Sequence, residues 1–134
     1  MTPELTYLAY AVLLLIVHMM AQAGLAVLAN GIAWGMSPRD YDTDPGKPAS
    51  RAARALTNYA YNMPAFAALA LAVTVAGVNS DSTALGAAIW VWARVIYLPV
   101  YIFGVPLLRS LAWLASLVGL GMMIAPLLSG GGIS

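Results

Sequence analysis

Arginine is the residue type that most constrains what this chain can do. Arg94 lies well inside an apolar stretch, and Arg51, Arg54 and Arg109 stand at the entrances of two others. No Asp or Glu accompanies them in those stretches. An unpaired cation in hydrocarbon is costly, so each guanidinium needs a partner, and a bound anion is one candidate. The spacing adds to the signal. Arg51, Arg54, Asn58 and Tyr61 are separated by three, four and three residues, and Arg94, Tyr97 and Tyr101 by three and four. On a helix either set forms one face. Arg109-Ser110 opens a further apolar stretch. Guanidinium forks bind carboxylates bidentately, and tyrosine hydroxyls and an Asn amide complete the hydrogen bonding. The chemistry of such a constellation is anion recognition. Plainer explanations exist for single members. Arg51 and Arg54 could each be end-cations that snorkel to lipid phosphate, and tyrosines alone read as an interfacial belt. Arg94 resists that account, because it is roughly nine residues, or about 13 Å at helical rise, from the end of its stretch.

The elements that must position these residues follow from composition. Of 134 residues, 62% are hydrophobic and 8% charged, against about a quarter charged in soluble domains. Water alone could not solvate such a surface, so the solvent is lipid. The size fits one domain spanning the whole chain, 1–134. With no cysteine there is no disulfide, thiolate nucleophile or sulfur-ligated metal. A net charge of +1 without a basic run gives no support to nucleic-acid binding. His18 has no second metal ligand in evidence, so no metal site is expected. It reads as a hydrogen-bonded packing residue rather than a proton relay.

Four apolar segments stand out, at about 5–34, 51–78, 83–103 and 106–128. Each reaches the roughly 20 residues needed to cross a bilayer as a helix. Continuous apolarity excludes barrel strands, which alternate over about ten positions. The fold class is therefore all-α, a four-helix membrane bundle. The first segment is too long for a signal-peptide core and lacks a basic leader, so it is read as a retained span. Gly35 to Pro48 forms the one hydrophilic loop, Asn79-Ser80-Asp81-Ser82 a tight turn with an N-cap, and Gly104-Val105-Pro106 the last connection. Pro64 and Pro99 are expected to kink their spans. Gly24, Ala26, Ala29 and the alanines from Ala65 to Ala72 are expected to mediate close helix packing. Arg39, Lys47, Arg51, Arg54 and Arg109 all fall on one side of the membrane, and Glu4 and Asp81 on the other. The positive-inside rule places the long first loop in the cytoplasm and both termini outside.

The stretch Arg54-Ala55-Leu56-Thr57-Asn58-Tyr59-Ala60-Tyr61-Asn62-Met63-Pro64-Ala65-Phe66 resembles the second-helix signature of the MAPEG family, membrane-associated proteins in eicosanoid and glutathione metabolism. That signature reads roughly R-A-x-x-N-x-x-E-x-x-P-x-F. Ala93-Arg94-Val95-Ile96-Tyr97-Leu98-Pro99-Val100-Tyr101, with Gly104 and Arg109-Ser110, is similar to the family's third and fourth helices. The resemblance covers nearly the whole chain and is strongest to small bacterial members. It implies a homotrimer in the bacterial inner membrane, with glutathione bound between subunits as co-substrate. By position it implies that Arg54 and Asn58 hold glutathione beside Arg51, and that Arg94, Tyr97 and Tyr101 contact its carboxylates and backbone. Arg109 would stabilise the thiolate as the catalytic residue, with Ser110 beside it. Two departures stand out. The signature Glu is Tyr61 here, and the end of the first helix, Ala29-Asn30-Gly31-Ile32-Ala33-Trp34, carries no cation. Asn62 could replace the Glu only if the backbone rotates.

Two functions follow as expectations. One is a glutathione-dependent transferase or peroxidase acting on lipophilic electrophiles that arrive from the membrane. The other is a non-catalytic member that binds a lipid or fatty acid between subunits. A proton-coupled exporter of cations needs an intramembrane carboxylate, which the apolar stretches lack.

Overall fold

The computed structural model describes residues 1–37 and 46–129, and all of its regular structure is helical. The elements are α1 (Pro3–Asn30), α2 (Ile32–Met36), α3 (Gly46–Ala76), α4 (Asp81–Phe103) and α5 (Pro106–Leu128). Four of them, all but the five-residue α2, are long and apolar enough to cross a membrane. This is a multi-pass membrane protein. Arg39 and most of the acidic first loop lie outside the described residues.

Local chemistry sets the helix limits. Thr2 caps α1 by accepting from the Leu5 amide at 3.3 Å, and Pro3 occupies the first turn, where no amide partner is lost. The first apolar segment does not continue as one helix to Trp34. It breaks at Gly31, whose φ of +93° suits glycine alone, and α2 follows as a short separate turn. α3 begins at Gly46 rather than at Arg51. Pro48 is tolerated there because the first turn makes no backward hydrogen bond from its amides. α3 and α4 run on through Pro64 and Pro99 as single elements. Ser80 and Thr83 form a reciprocal capping box at the start of α4, and Gly104 ends it in the left-handed region at φ +75°.

α3 and α4 occupy the middle of the bundle and touch each other. α1 and α5 flank them on opposite sides and do not meet among the described residues. The core joins α1, α3 and α4, with α5 contributing Met123. Trp90 stacks flat on Phe66 at 4.2 Å and tilts against Tyr59 at 5.6 Å, with Ala11, Leu14, Ala87 and Met123 closing around them. The tightest crossing is between α4 and α5, where a Cβ on Gly86 would come within 2.7 Å of the Gly119 carbonyl oxygen. These glycines, not Gly24, mediate close packing within the protomer, for a Cβ on Gly24 would meet nothing.

One expectation about charge needs correcting. The bundle does contain a buried carboxylate, Glu4, which is 0% exposed in the first turn of α1. Its two oxygens accept from the Thr83 hydroxyl at 2.6 Å and the Asn79 amide at 2.8 Å. Glu4 is the second residue of α1 and precedes the first apolar stretch, which puts it at the end opposite the arginines without showing that it is covered. Asn79 and Thr83, around the start of α4, hold it within the end of the bundle.

Candidate functional site

The arginines collect at the opposite end, where α3 begins, α4 ends and α5 begins. Arg51 is half-buried and donates from Nη1 to the Ile102 carbonyl at 3.1 Å, so it satisfies a carbonyl of the last turn of α4. Gly104 makes room for it, since a Cβ there would stand 2.8 Å from the guanidinium carbon. Arg51, Arg54, Tyr101 and Arg109 line a cavity of about 200 Å³ together with the turn Gly104-Val105-Pro106. A second cavity of about 300 Å³ is lined by Asn58, Tyr97, Tyr101, Arg109, Ser110 and Trp113. Tyr101 and Arg109 belong to both, and the Arg109 guanidinium lies over the Tyr101 ring at 5.0 Å. That contact holds a cation at the boundary of the two spaces.

Arg94 occupies a different position from the one its spacing suggests. It is 0% exposed and lines neither cavity. It donates from Nη1 to Asn58 Oδ1 at 2.8 Å and rests against the rings of Tyr97 at 4.1 Å and Tyr59 at 5.3 Å. Its Nε and Nη2 have no hydrogen-bond partner. Arg94 therefore sits one layer behind the cavity, with Asn58 between it and any guest.

Seven of the residues singled out from the sequence line these two cavities: Arg51, Arg54, Asn58, Tyr97, Tyr101, Arg109 and Ser110. Tyr61 does not join them; it is 82% exposed on the outside of α3. At about 100° per residue, it is rotated about 60° from Asn58 toward the exposed side of Arg54. Asn62 does not take up the signature Glu position either. It folds back to donate to the Asn58 carbonyl at 2.7 Å and, more weakly, to Asn58 Oδ1 at 3.4 Å. His18 is buried but not hydrogen-bonded, against expectation. It stacks on Tyr59 at 4.5 Å, and ring contact replaces the missing partner. Tyr59 and Trp113 went unnoticed in the sequence. Tyr59 is the hinge of the buried cluster, touching His18, Trp90 and Arg94 and donating its hydroxyl to the Ala11 carbonyl at 2.5 Å. Its sequence signal was available, since Tyr59 directly follows the Asn of the motif.

Taken as chemistry, this end of the bundle offers three guanidinium groups, two phenols, a serine and an amide around two adjoining cavities. No group of three or more metal-ligating side chains occurs among the described residues. A family model described as the MAPEG family matches residues 7–129. The chain belongs to the MAPEG family. The match runs from α1 through α5 and takes in all four spans of this MAPEG protein except the first four residues of α1. No curated protein and no solved structure matches the chain.

Proposed function

We propose that this MAPEG protein binds glutathione at the arginine-rich end of the bundle and transfers it to, or uses it to reduce, lipophilic compounds. The observation that carries the reading is Arg109 held over Tyr101 in the wall that both cavities share, with Arg51 and Arg54 lining one and Asn58 and Ser110 the other. Two carboxylates need cations at separated points, and the two cavities supply them. A guanidinium beside the sulfur favours the thiolate, the reactive form of a thiol. In transfer, the thiol proton leaves to solvent, the sulfur forms a bond to an electrophilic carbon, and the leaving group departs with its electron pair. Exposed leucines along the start of α5, Leu107, Leu108, Leu111 and Leu114, give a lipid-facing approach to this end.

The active form in this proposal is a homotrimer in the bacterial inner membrane. The first loop faces the cytoplasm, where glutathione is abundant, and both termini face outside. Isothermal titration of the detergent-solubilised protein with glutathione tests the reading. Saturable heat that disappears in Arg109→Ala supports it, and no heat at millimolar glutathione sinks it.

A second reading, a non-catalytic binder of fatty acids, is favoured by one observation. Tyr61 replaces the signature Glu and lines neither cavity, so no acidic side chain at that position can meet a ligand ammonium. A fatty acid has a carboxylate and no ammonium. Retained fatty-acid binding without glutathione binding would select this reading.

A further inference from the structure

The polarity of the cavity wall is set by a hydrogen-bond arrangement that fixes which way the Asn58 amide points. An asparagine side chain has one acceptor end and one donor end of nearly identical shape, so its neighbours decide which end a guest meets. Here the acceptor end is claimed from behind. Arg94 Nη1 donates to Asn58 Oδ1 at 2.8 Å, and Asn62 Nδ2 reaches the same oxygen at 3.4 Å. A guanidinium cannot accept a hydrogen bond, so Arg94 could not face the amide's donor end. The flipped orientation is excluded as long as Arg94 stays in place.

Arg94 is held firmly. Its guanidinium carbon lies 4.1 Å from the Tyr97 ring centre and 5.3 Å from that of Tyr59. Tyr59 is itself pinned to α1 through its hydroxyl bond to Ala11 and its stack on His18. The clamp thus spans α1, α3 and α4. Arg94 and Asn62 touch none of the cavity space, yet they control one of its walls.

We infer that Arg94 and Asn62 are positioning residues that lock Asn58 with its Nδ2 amino group toward the 300 Å³ cavity, so that the site accepts only a guest presenting a carboxylate or carbonyl oxygen there. The inference rests on the anion-site reading above and deepens it by assigning the sign of one contact. It also gives the buried cation a task that needs no direct contact with the guest. The charge of Arg94 polarises the amide, which strengthens its outward N–H groups as donors.

Asn58→Asp separates the locking role from a merely structural one. The change is nearly isosteric and keeps an oxygen facing Arg94, where the introduced carboxylate pairs with a cation that has no acidic partner. It also turns an oxygen, in place of the amino group, toward the cavity. The expected result is a protein that melts no lower than the parent and binds glutathione at least about tenfold more weakly. Glutathione diamide, which carries no carboxylate, should lose much less, so the preference for the acid over the amide falls. Asn58→Leu serves as the control that removes the clamp, and it should lower both the melting temperature and binding. Unchanged glutathione affinity in Asn58→Asp, or a melting temperature as low as that of Asn58→Leu, would overturn the inference. If the parent protein binds no glutathione, the proposed function fails while the clamp is still read by melting alone. A melting temperature of Asn58→Asp at or above the parent's then supports it, and a fall removes it.

Discussion

The two ends of this bundle treat buried charge in opposite ways. At the end where α1 starts, the carboxylate of Glu4 is fully covered, and both oxygens are satisfied by Thr83 and Asn79. Toward that end the helices also approach most closely, at Gly86 and Gly119. At the other end, three guanidinium groups surround open space, and a fourth is buried with two of its nitrogens unpartnered. A charge whose hydrogen bonds are all met within the chain ties helices together. A charge whose bonds are left open costs stability unless something else completes them. The difference teaches where the molecule is built to hold its shape and where, on the proposed function, a guest would complete the open bonds.

Substitutions at the two ends should therefore separate stability from binding. The largest effect is expected from Arg109→Ala. Loss of the cation shared by both cavities should lower glutathione-dependent turnover of a lipophilic aryl halide by about a hundredfold or more. Its melting temperature should stay close to the parent's, and a collapse of the fold would show that Arg109 is structural instead. Next comes Gly86→Val at the opposite end. The added side chain meets the Gly119 backbone, and overpacking of this kind costs about 1–3 kcal/mol. Thermal unfolding in detergent should report the loss, with glutathione affinity unchanged for the protein that remains folded. Glu4→Ala should follow closely, because it removes the charged acceptor of the buried Thr83 hydroxyl and one of the two acceptors of the Asn79 amide, at a cost of about 1–3 kcal/mol. A matching fall in ligand affinity would mean the two ends are coupled and would break the comparison. The smallest effect is expected from Arg51→Ala, which crosses the divide. It removes the hydrogen bond to Ile102 and one cavity cation together, so about 1 kcal/mol of stability and a several-fold loss of affinity should appear side by side.

Much of this division was legible before any coordinates. The four spans were readable because each apolar run is long enough to cross a bilayer, and the spacings of Arg51, Arg54 and Asn58 and of Tyr97 and Tyr101 placed them on helix faces that do converge. What spacing could not give was rotation about the helix axis and depth. Tyr61 shares the stripe of Asn58 by count but sits at its exposed edge, and Arg94 shares the face of Tyr97 but lies beneath the cavity wall. Hydropathy puts Glu4 at the end opposite the arginines, but it could not show that Thr83 and Asn79 cover the carboxylate there. The break at Gly31 was hidden for a related reason. Glycine is apolar in a hydropathy sum, and only its positive φ reveals that it ends a helix.

The central claim is that the arginine-rich end holds an anionic guest against Arg109, Tyr101 and Asn58. A density map of the protein in lipid nanodiscs, recorded with saturating glutathione, tests it most directly. The account predicts ligand density running between the two cavities past Arg109, with a ligand oxygen within hydrogen-bond distance of the Asn58 amide. Density confined elsewhere, or Arg51, Arg54 and Arg109 turned singly outward to lipid headgroups with no guest among them, would contradict it.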